Sequence, residues 1–156
     1  MAYLLLKFLH TIGATVILGT GAGIAFFVVM AHRTGEARVV ADTLKSVIIA
    51  DFIFTATAVC LQPVTGAILM AMLGYNLADG WIALSLILYA VAGLFWLPVI
   101  WMQMRMRTLA REAAGNGMAL PAAYHRLYRL WFTCGVPAFA AVLVIYWLMT
   151  FKPAVW

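Results

Sequence analysis

Long apolar runs separated by short polar intervals dominate the chain. Residues 3–31, 47–73, 81–104 and 128–151 are almost wholly apolar, and each exceeds the roughly 20 residues that carry a helix across a hydrocarbon core. They predict an all-α integral membrane protein, a single transmembrane four-helix domain over residues 1–156. Connections this short make consecutive spans antiparallel neighbours, so the bundle runs up-down-up-down. After the third span the helical pattern is expected to continue through Ala114, break at the run Gly115, Asn116 and Gly117, and restart after Pro121. The first run is too long for a signal-peptide core, and it has no basic segment ahead of it and no small-residue cleavage site. It is expected to be retained.

The polar residues inside these runs fall on stripes. At 100° per residue, Asp51, Thr55, Ala58, Gln62, Thr65 and Leu69 lie within about 80° of one another along the second span. Ser85, Tyr89, Ala92, Trp96 and Gln103 form a similar line on the third, and Trp131, Gly135, Ala138, Val142 and Met149 on the fourth. Polar side chains at membrane depth turn inward because lipid cannot satisfy them, so the three stripes are expected to converge. On the first span Gly13, Ala14, Ile17 and Gly21 share the face of His10, while Gly19 and Gly23 lie nearly opposite. That second pair has the small-xxx-small spacing at which another helix comes close, and it predicts a homodimer contact.

Composition agrees with the membrane class: 67% of residues are hydrophobic and 10% charged, against about 25% charged in soluble domains. The net charge of +5 is unevenly placed. All Lys and Arg except Lys7 and Lys152 lie at two connections, 32–46 and 105–127 with its margins, whereas residues 74–80 hold one acid and no base. By the positive-inside rule the two basic connections are cytoplasmic and both termini periplasmic. The charge suits anionic lipid headgroups, and nothing points to nucleic acid.

Asp51 lies about four residues inside the basic boundary, where a carboxylate needs a partner. Arg105 and Arg129 are nearest by depth, and a structural ion pair with Arg105 is expected, with a proton-relay role as the alternative. Cys60 and Cys134 differ in depth by roughly 10 Å, too far for a disulfide, whose Cα atoms lie within about 7 Å. The methionines of "WMQMRMR" suggest copper. Yet Met102 and Met106 share a side, Met104 turns away and arginines intervene, so packing is expected. Trp81, Trp147 and Trp156 fall near the outer interface and Trp101 and Trp131 near the inner one.

His10 is the costliest residue of the first span. It lies roughly 10 Å below the outer end, a depth that the other spans match with Thr65, Tyr89 and Tyr146. Gln62 is a turn deeper and Met149 a turn shallower. No second histidine is near, since His32 and His125 sit beside Arg33 and Arg126 and are expected to be solvated or to meet headgroups. A zinc site wants three or four ligands, and Ser85 has neither a base nor an orienting carboxylate for a nucleophilic triad. The glycines of "GTGAG" lack the preceding strand of a dinucleotide-binding loop. A cofactor needing one strong protein ligand survives, haem being the common one; the alternative is an interhelical hydrogen-bonding histidine.

Over nearly its full length the chain resembles a bacterial family of small integral membrane proteins catalogued as domain of unknown function 2269. The matching stretches are "YLLLKFLHTIGATVILGTGAGIAFF", "LQPVTGAILM", "FWLPVIWMQMRMR" and "PAFAAVLVIYWLMTFKP". That family in turn resembles HemJ-type protoporphyrinogen oxidases and CopD-type copper-resistance membrane proteins through "LKFLH", the segment where the HemJ type carries its haem-associated histidine. The resemblance implies a bacterial inner-membrane redox protein with haem b on His10, an oxidoreductase acting on a quinone or porphyrinogen-like partner. With haem bound, Lys7 would reach a propionate or headgroup and Thr65 or Tyr89 would accept the second ring N–H of His10. Gly13 and Gly21 would lie under the macrocycle, and Met149, Tyr89 or a second subunit would stand opposite. The lysine that the HemJ type has in its third helix is missing, which argues against porphyrinogen oxidation more than against cofactor binding. A cofactor-free transport or scaffold protein and a copper-handling protein are the competing readings.

Overall fold

A computed structural model describes residues 1–155; Trp156, which the sequence puts in the outer aromatic belt, lies outside the described residues. Four helices, α1 (Ala2–Thr34), α2 (Ala37–Leu73), α3 (Gly80–Gly115) and α4 (Ala122–Phe151), form the bundle, and all four are long and apolar enough to cross a membrane. Gly35, in the left-handed region at φ 69°, ends α1 by closing its N–H on His32 O. Only Gly35 and Glu36 then separate α1 from α2. Gly74, at φ 71°, ends α2 in the same way on Met70 O. The break after α3 falls at the glycines, with Gly117 at φ 64°.

The connection expected over 32–46 is therefore mostly helix. Ala37, Val40, Leu44, Val47 and Ile48 are buried at helical spacing while Arg38, Asp42 and Lys45 stay exposed. The third helix likewise runs past Met104 and buries Met106, Ala110 and Ala113. These amphipathic extensions put the best-packed part of the molecule at its basic end. Val28, Val40, Leu44, Met102, Met106, Ala110 and Tyr124 form one continuous cluster there. Met102 and Met106 are core residues, and so is Trp131, only 4% exposed, which corrects its placement in the inner belt.

Toward the other end the bundle divides into two pairs. The part of α2 from Ala56 to Leu73 approaches α1 but makes no close backbone approach to α3 or α4 among the described residues, whereas α3 and α4 pack along their lengths. Tyr89 of α3 crosses the gap. Pro63 sits inside α2 and has no N–H to give the carbonyl four residues back, that of Val59. The Tyr89 hydroxyl donates to that carbonyl instead. A proline in a membrane helix is tolerated where a neighbour satisfies the group it frees.

Candidate functional site

Where α1 crosses α2, His10 Nδ1 lies 2.8 Å from Thr65 Oγ1. The Thr65 hydroxyl is also 2.9 Å from Leu61 O and 3.2 Å from Gln62 O, so its single hydrogen goes to those carbonyls and its lone pair faces the imidazole. Nδ1 is thereby the protonated nitrogen, a tautomer assigned from the hydrogen-bond network. Nε2 keeps a free lone pair and is not among the polar atoms sealed in the interior. The Gln62 amide donates to His10 O at 2.8 Å, tying the two backbones together one turn deeper.

Glycine makes this crossing fit. A Cβ on Gly13 would stand 2.5 Å from the Gln62 amide nitrogen, and one on Gly66 would stand 3.3 Å from His10 Cε1. Gly13 thus leaves room for a glutamine, not for the macrocycle expected over it. Gly21 faces Phe139 of α4, with 3.9 Å between that ring and a Cβ built on the glycine. Gly66 was missed in the sequence, although it directly follows Thr65 beside the polar stripe of α2.

Of the other residues expected around His10, Tyr89 is committed to Val59 O, and Met149 and Tyr146 are exposed on α4. Lys7, one turn above His10, is exposed with Nζ 6.0 Å from the centre of the Tyr3 ring. Only Thr65 and Gln62 are brought to His10 from the expected set. Among the described residues no three His, Cys, Asp or Glu side chains gather where they could hold one metal ion. Cys60 and Cys134 are both free.

Asp51 opens a π-helical turn, Asp51–Thr55, and is 3% exposed. Its Oδ1 accepts from Trp96 Nε1 at 3.4 Å, so the stripes of α2 and α3 do converge here. The expected ion pair with Arg105 does not form: Arg105 is exposed and has no ion-pair partner among the described residues. Depth alone suggested it, but Arg105 is about two and a half turns beyond Trp96 and so points from the opposite side of α3. Arg105→Ala is expected to change unfolding stability in detergent by no more than about 0.5 kcal/mol. A larger loss in a thermal melt would restore the pairing. Among the described residues, Gln103 Oε1 and Trp131 Nε1 are buried without hydrogen-bond partners.

His32 also departs from expectation. Its ring stacks on Tyr128 with centroids 3.6 Å apart at 11°, and its Nδ1 lies 3.2 Å from the hydroxyl of fully buried Tyr124. It belongs to the bundle rather than to solvent, whereas His125 is exposed and touches the stack by its edge. The signal was present as the helical spacing of Tyr124, Tyr128 and Trp131.

Residues 4–153 match the family described as predicted integral membrane protein (DUF2269). The chain belongs to this family. No curated protein and no solved structure matches the chain. The DUF2269 match takes in all four helices, with the His10–Thr65 crossing and Asp51 inside its bounds. Membership and fold together make the protein a multi-pass integral membrane protein whose helix surfaces meet lipid.

Proposed function

We propose that this DUF2269 protein is a haem-binding redox protein in which His10 would hold the haem through Nε2. One observation carries the reading: His10 Nδ1 lies 2.8 Å from Thr65 Oγ1, a pairing that fixes the ring and leaves the other nitrogen without a hydrogen-bond partner among the described residues. A ligating histidine almost always has its second ring nitrogen fixed in this way. The donor set suits a group that asks one strong ligand of the protein, as haem b does. When bound, haem supplies one-electron chemistry, exchanged here with a quinone or porphyrinogen-like partner. The chain itself fixes the tautomer with Thr65, anchors the His10 backbone with Gln62, and offers the exposed Lys7 cation to a carboxylate one turn above. The test is the absorption spectrum of the protein purified from haem-supplied cells, expected to show a Soret band. Protein that is colourless, and stays so after haemin is added, leaves His10 as an interhelical hydrogen-bonder and favours a scaffold or transport role.

The basic residues at the two connections between α1 and α2 and between α3 and α4 support insertion in a bacterial inner membrane with both termini periplasmic. A cysteine placed at Asn76 is then expected to react with an impermeant thiol reagent from the periplasmic side, and labelling only after the membrane is opened would reverse the topology. A Cβ on Gly19 or Gly23 would meet nothing within 4 Å; Gly19 is exposed and Gly23 lines an open groove beside Ser46 and Val47 of α2, which leaves room there for a helix of a second copy. Gly19→Leu with Gly23→Leu is expected to convert a crosslinked dimer to monomer, and an unchanged crosslink would move the contact elsewhere.

A further inference from the structure

About 30 Å along α2 from Thr65, at the basic end, Ala41, Asp42 and Lys45 of α2 face Arg107 and Arg111 of α3 across a cavity of about 250 Å³. The spacings are i, i+4 on both helices, so the cavity is framed by two helical rungs from antiparallel neighbours. Beneath it Leu44, Met106 and Ala110 are buried and hold the helices in place. Three cations line this space against one acid, and no ion pair forms within it among the described residues. One acid offsets the three cations only in part, and an anion bound between them offsets the repulsion that is left. Arginines and a lysine at one concavity match the oxygens of a phosphate group. The depth selects its source: Lys45 stands two residues before the apolar span that begins at Val47, and Arg107 three after the one that ends at Met104. That is the headgroup layer.

We propose that this cavity binds the phosphate of an anionic phospholipid headgroup in the leaflet at the basic end. The test is native mass spectrometry of the full chain in detergent, titrated separately with phosphatidylglycerol, phosphatidylcholine and inorganic phosphate. Phosphatidylglycerol adducts are expected to dominate on the wild type. Arg107→Gln with Arg111→Gln should lower their occupancy by about 30-fold, roughly fivefold for each cation near a membrane surface. Arg126→Gln with Arg129→Gln removes equal charge outside the cavity and should leave the adducts in place, and circular dichroism checks that both variants stay folded. Wild-type protein that binds inorganic phosphate as tightly as the lipid, with the same loss in the Arg107/Arg111 variant, overturns the lipid source and makes the ligand a soluble phosphate compound. Equal adduct loss in both variants, or none in either, overturns the site.

Discussion

His10→Ala is expected to abolish the Soret band that the proposed haem site predicts for protein prepared from haem-supplied cells, and to leave the four helices folded. The expectation separates two roles that one side chain could combine. As an iron ligand, His10 cannot be replaced by a methyl group, and cofactor retention should vanish. As a structural residue it contributes one hydrogen bond, worth about 1 kcal/mol net, and its loss strands nothing, because Thr65 already donates to Leu61 O and Gln62 O. The informative companion is Thr65→Val, which keeps the shape of the crossing and takes away the acceptor. The ring can then turn or change tautomer, and haem retention should weaken by about 10- to 100-fold with the ligand still present. Two variants that lower unfolding stability alike, with no haem absorption in any sample, would assign His10 to helix pairing alone.

Tyr89→Phe is expected to destabilise the protein by about 1–3 kcal/mol, the penalty for leaving a buried acceptor unpaired. The reason lies on another helix. The carbonyl that Tyr89 serves, Val59 O, lacks its usual partner four residues on because Pro63 has no N–H to give it. Pro63→Ala returns that N–H, so in its background Tyr89→Phe should become nearly silent. The coupling energy of the double-mutant cycle should therefore reach about 1–2 kcal/mol, read from thermal unfolding in detergent. Strict additivity would mean that Tyr89 joins the helix pairs by packing and not through this carbonyl.

These two sites differ in how far the sequence disclosed them. The His10–Thr65 pair followed from counting depth along two apolar runs, since both residues lie on the inward stripes of antiparallel neighbours and little else polar is level with them. Depth without azimuth failed for Asp51, whose nearest cation by level, Arg105, points away from it. The partner that the structure supplies, Trp96, lies on the convergent stripe of the third span, and as a neutral donor it is not marked by opposite charge. Gly13 failed for a different reason: a glycine beside an imidazole marks a groove, and only the register between α1 and α2 reveals that Gln62 fills it. The charges at Arg38, Asp42 and Lys45 concealed the start of α2. Read by period instead, Val40, Leu44 and Val47 already describe a helix face.

The uneven distribution of the core gives the protein a built-in hinge. The cluster around Leu44, Met106 and Tyr124 holds all four helices at one end, whereas toward the other the α1–α2 and α3–α4 pairs are linked chiefly by side chains, among them the Tyr89 hydroxyl on Val59 O and Lys152 on the Tyr75 hydroxyl. Opening there breaks few interactions and leaves the base intact, so it lies at the low end of the local-unfolding scale. Amide exchange should accordingly be slowest in α2 before Asp51 and in α3 after Val99, and fastest in the outer turns of α1 and α2. The crossing that joins His10 to Thr65 lies toward this more lightly packed end, so exchange at its amides is expected to report directly on local opening there.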